Sequence, residues 1–313
     1  MSGIEATARW AAAVRAIETS RPDALFGDPW AAALAGEDGT RWAESRPAEA
    51  LVPMIIRTRF FDDFLRRSTF EEGAAQVVLL GAGLDTRALR LHWPPGTTVF
   101  EVDQPDVVSY KRNLLGPALA HPSCERHVCQ GVDLRGVNWP AQLTQAGFDP
   151  STPAVWLAEG FLFYLPDEAI GTLLAQVSAL ASKGGFLGFD VPNRAVLTHP
   201  LTRAWIQMQA DAGAPWTGTI ENPVDYMAAL GWHASLTQCG GADADYGRWR
   251  YPVVPMAALD LPHLWLVTAK RELGGNPAAP ESPRFTRAVS GCANHTRMPC
   301  RTVMSRRPLL RPR

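Results

Sequence analysis

Residues Gln76–Leu91, QVVLLGAGLDTRALRL, decide the fold of this chain. A run of apolar residues leads straight into Gly81 and Gly83, which is typical of a buried parallel strand that ends in a glycine turn. Asp85 and Thr86 then predict the start of a helix. Because neither glycine carries a Cβ, the backbone can turn tightly and approach a ligand closely. This strand, turn and helix predict the first unit of a doubly wound α/β sheet, with a nucleotide-type pocket at the carboxyl end of the strand.

The turn departs from the dinucleotide fingerprint Gly-x-Gly-x-x-Gly, because Thr86 stands where the third glycine would be. Asp85 would also repel a pyrophosphate at close range. S-adenosylmethionine carries no phosphate and presents a sulfonium and an ammonium cation, so an acid beside the turn suits it better. Two alternatives stay open at this point. One is an NAD-dependent oxidoreductase, and the other is a tight turn without a ligand.

Acidic residues end the next predicted strand, which starts at Thr98. Glu101 and Asp103 lie there, and Asp103 comes about twenty residues after Gly81, where a carboxylate can accept hydrogen bonds from both ribose hydroxyls. The two-residue period of a strand points both acids to the same face. We therefore expect a ligand role for both, with Asp103 at the ribose.

Two more strand ends carry acids. Asp133 follows the third strand, where its carboxylate can bind the adenine amine and Leu134 can cover the ring, although Asp is also a good helix N-cap. Glu159 ends an apolar strand over 154–158 and is followed by glycine and aromatic residues. A charge in such surroundings needs a partner, and a cationic methionine moiety would provide one. Together the strand ends predict a cofactor site.

Several segments of the chain, quoted at the end of this paragraph, carry a family resemblance by their sequence and their order. The chain resembles the leucine carboxyl methyltransferase-like branch of class I S-adenosylmethionine-dependent methyltransferases, and within it the bacterial enzymes that include polyketide carboxyl O-methyltransferases. The resemblance covers roughly residues 8–271. The segments that carry it are RAIETSRPDALFGDPWA, RTRFFDDFL, LLGAGLDTRALRL, FEVDQP, GVDLR and WLAEGFLFYL.

The resemblance implies a Rossmann-like fold with a seven-stranded, mostly parallel sheet, helices on both faces and an N-terminal helical lid over 1–70. It also implies that an arginine binds the cofactor carboxylate, Arg57 in preference to Arg59, and that Arg15 is the basic residue that completes the site. The other implied cofactor contacts are Gly81, Gly83, Asp103, Asp133, Leu134 and Glu159.

The implied activity is O-methylation of a small-molecule acceptor in secondary metabolism, with a carboxylate as first choice. A carboxylate is ionised at neutral pH and needs no base, whereas a phenol, with a pKa of about 10, would profit from one. We therefore assign no catalytic residue and no metal. A non-catalytic ligand-binding protein that retains the fold is the remaining alternative.

Composition agrees with a cytoplasmic globular enzyme. The chain has 313 residues, 46% of them apolar and 19% charged, and a net charge of −1, which gives no reason to expect nucleic acid. No apolar run approaches the ~20 residues that cross a bilayer, and the N-terminus lacks the pattern of a signal peptide. The five cysteines form neither a zinc spacing nor a disulfide framework. We expect no membrane partner, and the oligomeric state stays open.

Helical and strand patterns alternate over residues 1–272, which predicts a single α/β domain. Residues 192–222 and 238–262 are rich in Trp, Gly and Pro and are expected to cover the carboxyl edge of the sheet. From residue 274 onward there are eight arginines, no lysine and one acid. We expect a basic, disordered tail over 273–313, although an arm for an anionic partner is an alternative. The predicted helices are 5–20, 54–67, 106–115, 166–182 and 223–230, and the later strands are 186–191, 232–237 and an antiparallel 264–269.

Overall fold

A seven-stranded sheet in the order β3-β2-β1-β4-β5-β7-β6 forms the centre of the computed structural model, which describes residues 3–272. The predicted basic tail over 273–313 lies outside the described residues. Strands β1 to β5 are parallel, and β7 runs antiparallel between β5 and β6. The strands are β1 (Gln76–Leu80), β2 (Thr98–Asp103), β3 (Arg126–Gly131), β4 (Ala154–Ala158), β5 (Phe186–Pro192), β6 (Trp232–Gln238) and β7 (Leu264–Arg271).

The central strands are apolar because helices cover both faces of the sheet. Every residue of β1 and β4 is buried. The order of the strands reverses between these two neighbours, so the loops after them diverge and leave a crevice at their carboxyl ends. The sequence-based expectation of a mostly parallel, Rossmann-like sheet with an antiparallel last strand is confirmed.

Ten α-helices lie in the described part of the chain. One apolar cluster packs α6, α7 and α10 against one face of the sheet, and a second packs α3 against the other. No helix there is both long enough and apolar enough to span a membrane. The helices are α1 (Gly3–Thr19), α2 (Ala31–Glu44), α3 (Ala48–Arg66), α4 (Arg87–Arg90), α5 (Pro105–Leu119), α6 (Trp139–Gln145), α7 (Asp167–Leu180), α8 (Arg194–Thr198), α9 (Arg203–Asp211) and α10 (Pro223–Ala229).

Two helices differ from the prediction. Helix α3 starts at Ala48 rather than at residue 54, and it carries Pro53 inside. The proline cannot donate a backbone hydrogen bond, which is why the sequence pattern placed the start after it, but apolar packing of the helix overrides that local cost. Helix α4 after the glycine turn has only four residues, so the connection from β1 to β2 is mostly irregular.

Helices α1 and α2 pack against each other and onto the glycine turn. Buried Ala12 and Leu34 share an apolar cluster with Leu84, which belongs to the turn after β1. Gly39 allows this close packing, because a Cβ at that position would lie 2.7 Å from the carbonyl oxygen of Arg9. The N-terminal helices are thereby held over the carboxyl edge of the sheet.

Candidate functional site

A cavity of about 620 Å³ lies at the carboxyl ends of β1, β2 and β4. This volume is within the range of small-molecule sites, roughly 300–1,000 Å³. The strand ends form one wall, and α1, α3 and α9 contribute to the other. Both segments that were expected to cover the carboxyl edge, 192–222 and 238–262, supply lining residues. These residues are Val196, Thr202, Trp205, Gln209, Trp216, Gln238, Cys239, Trp249, Val254 and Pro262.

The glycine turn forms the floor of the cavity. Gly81 and Gly83 have φ angles of 62° and 51°, which only glycine adopts without strain. The backbone N–H of Gly81 donates to the carbonyl oxygen of Val102 at 2.9 Å and fixes the turn to β2. A Cβ on Gly81 would lie 2.5 Å from the ring of Phe161, so the sequence has glycine there for space as well as for conformation.

Asp103 is oriented by the backbone around it. Its two carboxylate oxygens accept hydrogen bonds from the N–H groups of Gly83 and Gln104, each at 2.6 Å. Burial raises the pKa of Asp103, and these two hydrogen bonds limit the rise because they stabilise the ionised form. Since each carboxylate oxygen has a second lone pair and the residue lines the cavity, Asp103 can accept two further hydrogen bonds from a ligand.

The expected ligand role of Glu101 is wrong. Its carboxylate lies on the face covered by α5, where it pairs with the ammonium of Lys111 at 2.5 Å and with His127 at 3.1 Å. Burial opposes a charged imidazolium, but the hydrogen bonds that His127 makes with Cys129 and with the accepting carboxylate of Glu101 raise the pKa of His127 to about 9. Asp103 differs because it stands at the strand end, where the chain leaves the sheet.

The same cluster brings metal-ligating atoms together. One ligand atom from each of Glu101, His127 and Cys129 lies within 4.8 Å of the others. The ammonium of Lys111, in contact with the Glu101 carboxylate, opposes a metal cation there. This cluster lies outside the residues that line the cavity, and its carboxylate already pairs with two basic side chains of the protein.

Glu159 at the end of β4 has two arginine partners. Its Oε1 accepts a hydrogen bond from Arg57 Nε at 3.1 Å, and its Oε2 accepts one from Arg87 Nη2 at 2.6 Å. The positive charge that the sequence analysis assigned to the cofactor is therefore already present in the protein. Arg57 also donates to Asp190 at 3.0 Å, and Asp190 accepts a 2.6 Å hydrogen bond from the N–H of Gly160.

Arg87 is the centre of this ionic network. Besides Glu159 it contacts Asp62 at 2.6 Å, Asp85, and the carbonyl oxygen of Thr58 at 3.2 Å. Burial opposes ionisation of Asp85, but the neighbouring cations, Arg87 foremost, outweigh it and hold its pKa at about 2. All four side chains are less than one seventh exposed, so these ion pairs act in surroundings of low polarity.

Sequence reasoning missed Arg87 and Asp190. Asp190 lies inside β5 and is followed by Val191 and Pro192, so it lacks the strand-end position that singled out Asp103 and Glu159 on earlier strands. Arg87 directly follows the glycine turn, but an arginine in a one-turn helix gives no pattern of its own. Asp85 is two residues away, but the partners Asp62 and Glu159 are distant in sequence, so only the fold reveals the network.

The structure separates the candidate arginines. Arg57 lines the cavity, whereas Arg59 pairs with Asp63 at 2.9 Å and with the carbonyl oxygen of Leu25 at 2.7 Å, away from it. Arg15 also lines the cavity and donates to Asp28 at 2.8 Å. Of the two arginines considered for the cofactor carboxylate, only Arg57 faces the space where a ligand can bind.

The adenine candidates also lie at the cavity. Asp133 and Leu134 both line the cavity, and Leu134 is 5% exposed. Asp133 is half-exposed and pairs with Arg135 at 2.7 Å, and this hydrogen bond lowers the pKa of Asp133. The predicted set Gly81, Gly83, Asp103, Asp133, Leu134, Glu159 and Arg57 thus meets around one cavity.

Aromatic rings form the wall contributed by the covering segments. Trp216 stacks on Phe163 with ring centroids 3.9 Å apart, and Trp205 meets Trp216 edge to face at 6.1 Å. Tyr164 lines the same region, and burial raises the pKa of its hydroxyl. None of the described residues that line the cavity is a histidine.

The fold and the site define the class of the protein: a Rossmann-like α/β methyltransferase fold with a ligand cavity at the switch point. Two solved structures are similar to it in fold. A methyltransferase-like protein from Thermobifida fusca superposes with a TM-score of 0.57 at 18% identity, covering 85% of this chain and 94% of that one. A DUF574 family protein from Streptomyces avermitilis gives a TM-score of 0.56 at 16% identity, covering 83% and 96%.

Sequence comparison then gives the family. Residues 8–178 match the family model for leucine carboxyl methyltransferase. A protein of Frankia alni, provisionally named an S-adenosyl-L-methionine-dependent methyltransferase, is 40% identical over 259 residues, with 79% of this chain and 88% of that protein covered. A similarly named protein of Streptomyces avermitilis is also 40% identical over 259 residues, covering 79% and 89%.

The chain belongs to the leucine carboxyl methyltransferase family. It is an S-adenosyl-L-methionine-dependent methyltransferase, and the relatives do not favour the oxidoreductase alternative.

Proposed function

We propose that the enzyme methylates a carboxylate oxygen of a small-molecule acceptor. The cofactor would be held by Arg57 at its carboxylate, by Asp103 at its ribose and by Asp133 and Leu134 at its adenine, with Glu159 near its methionine end. The residues fit such a ligand, because the glycine turn leaves space and both oxygens of Asp103 keep a free lone pair. When bound, the cofactor supplies an electrophilic methyl group.

One observation supports a carboxylate over a phenol: the described wall of the cavity offers no free base. Each lining carboxylate (Asp85, Asp103, Asp133 and Glu159) already accepts hydrogen bonds from an arginine or from backbone N–H groups. Burial raises the pKa of the Cys239 thiol to about 12, so it is neutral near pH 7. An ionised acceptor acid needs no base, whereas a phenol with a pKa of about 10 does.

The apolar wall also suits this chemistry. A carboxylate oxygen forms a bond to the methyl carbon while the bond from that carbon to sulfur breaks, and the electron pair stays on sulfur. No proton moves, and an anion and a cation become two neutral groups. An environment that excludes water favours this loss of charge, and the aromatic rings around Trp205 and Trp216 provide it.

The test is the chemical stability of the product. The enzyme is incubated with cofactor labelled in its methyl group and with matched aromatic acids and phenols. We expect label only in products that release methanol in mild alkali, since esters hydrolyse there and aryl ethers do not. We also expect turnover that stays level above the pKa of the acceptor acid. Alkali-stable label that increases as the pH approaches 10 would refute the proposal.

We further propose that residues 1–272 form one methyltransferase domain in the cytoplasm, acting in secondary metabolism, with residues 1–70 as its lid. Lining residues from α1 and α3, such as Trp10 and Met54, support the lid. Hydrogen exchange of these helices should slow when S-adenosylhomocysteine is added. Unchanged exchange at saturating ligand would count against a lid.

A further inference from the structure

Helix α9 presents one face to the cavity. Trp205 and Gln209 are four residues apart, so they lie on the same side of the helix one turn from each other, and both line the cavity. Thr202, at the N-cap of the helix, lines it too. Gln207 lies on the opposite side, exposed, and donates to Asp211 at 2.8 Å. The helix therefore has a cavity face and a solvent face of different chemistry.

Gln209 has an unusual environment for an amide. It is only 3% exposed, and its Oε1 makes no hydrogen bond with a described residue. A buried carbonyl oxygen without a donor is unfavourable, and most buried polar groups in proteins have a partner. Because the side chain lines a ligand cavity, a group on a ligand that packs against it can supply the missing donor.

The surroundings of Gln209 restrict what that ligand can be. The rings of Trp205, Trp216 and Phe163, which contact one another in the same cavity, suit a planar apolar molecule. All five arginines that line the cavity already contact a carboxylate of the protein, so near α9 the wall offers neutral polar groups only. These arginines are Arg15, Arg57, Arg87, Arg90 and Arg135.

We propose that Gln209 is a specificity-determining residue that accepts a hydrogen bond from a hydroxyl or N–H group on a flat, largely apolar acceptor packed against Trp205. This inference rests on the proposed carboxylate chemistry, and it adds a second polar group to the acceptor, remote from the carboxylate that receives the methyl group. An acceptor that lacks the donor leaves Gln209 Oε1 unpaired, as it is in the protein alone, and is bound more weakly.

The experiment compares two probes that differ in one hydroxyl, 6-hydroxy-2-naphthoic acid and 2-naphthoic acid. Calorimetry measures their binding to the full chain saturated with S-adenosylhomocysteine. Because this ligand has no methyl group to transfer, the measurement reports the affinity of the probes alone. A neutral hydrogen bond corresponds to a preference of about tenfold for the hydroxylated acid. In Gln209→Leu we expect the preference to fall to about one, and in Gln209→Glu, which keeps an acceptor oxygen, we expect it to persist.

Gln207→Leu, on the solvent face of the same helix, is the control and should keep the wild-type preference. Equal affinity of both probes for the wild type, no saturable binding of either probe, or an unchanged preference in a folded Gln209→Leu variant would each overturn the proposal. Turnover with methyl-labelled cofactor is measured separately. Selective binding without ester formation would contradict the carboxylate chemistry and leave the role of Gln209 supported, which distinguishes the two failures.

Discussion

Asp103 allows the cofactor site to be tested atom by atom. Its two oxygens are already fixed by the N–H groups of Gly83 and Gln104 at 2.6 Å, so the remaining lone pairs have defined directions. If each accepts one ribose hydroxyl, two charge-assisted hydrogen bonds are lost in Asp103→Ala. At about 1.5–3 kcal/mol each, the lower limit is about 3 kcal/mol, or about a 100-fold loss of affinity.

The alanine variant also removes the anchor of the glycine turn, so a simple loss of binding would not identify the ribose contact. We therefore compare adenosine with 2′,3′-dideoxyadenosine by calorimetry in wild type and variant. The wild type should prefer adenosine by about 100-fold, and Asp103→Ala should show almost no preference, because the ratio cancels any general distortion of the site.

Asp106→Ala is the matched control, since Asp106 is exposed in the first turn of α5 and does not line the cavity. It should keep both the affinity and the preference of the wild type. If Asp103→Ala retains the preference for adenosine within a factor of three, then Asp103 does not bind the ribose and the orientation of the ligand in the cavity has to be revised.

Three further predictions follow from neighbouring contacts. Arg57→Met should weaken binding of S-adenosylhomocysteine at least tenfold, and Arg59→Met less than threefold. Equal losses of affinity in calorimetry would contradict the assignment of Arg57 to the cofactor carboxylate. The pKa of Asp85 is about 2 in the folded protein, against an ordinary value of 3.8. This lowering stabilises the folded state by about 2 kcal/mol above pH 4, and the stabilisation is lost as the pH falls from about 4 to 2. In urea unfolding, Asp85→Asn should lack this part of the pH dependence. Gly81→Ala should impair folding or cofactor binding more than Gly96→Ala. Both glycines have positive φ, but only a Cβ at position 81 would lie 2.5 Å from an aromatic ring. Thermal unfolding with and without ligand measures stability and binding, and equal effects of the two substitutions would show that the ring of Phe161 moves aside.

The mostly parallel sheet was predictable because central strands such as β1 and β4 are buried along their whole length, and because acidic residues stand at the ends of β2 and β4. The same logic placed Asp103 and Glu159 at the cavity, but it could not find Asp190, which lies inside β5 rather than at its end. This logic was wrong for Glu101. The two-residue period of a strand predicts the face of the sheet to which a side chain points, but not which residues cover that face. Lys111 and His127, which cover it, come from another helix and another strand.

The ionic network was not predictable from local pattern. Arg57 and Asp62 lie on α3, whereas Arg87 lies on α4 and Glu159 follows β4, so their pairing depends on how α3 lies on the sheet. The role of α9 was hidden for a similar reason. Its sequence places Trp205 and Gln209 on one face, but nothing in it shows that this face closes a cavity rather than packing in the core.

The position of α3 has a consequence for how ligands exchange. Four ion pairs, Arg57–Glu159, Arg57–Asp190, Arg87–Asp62 and Arg90–Asp62, join this helix to the ends of the strands and to the turn after β1. Swinging α3 outward would separate all four at once and leave buried charges unpaired, at a cost of several kcal/mol. Ligand exchange that moves other parts of the proposed lid and leaves α3 in place avoids this cost.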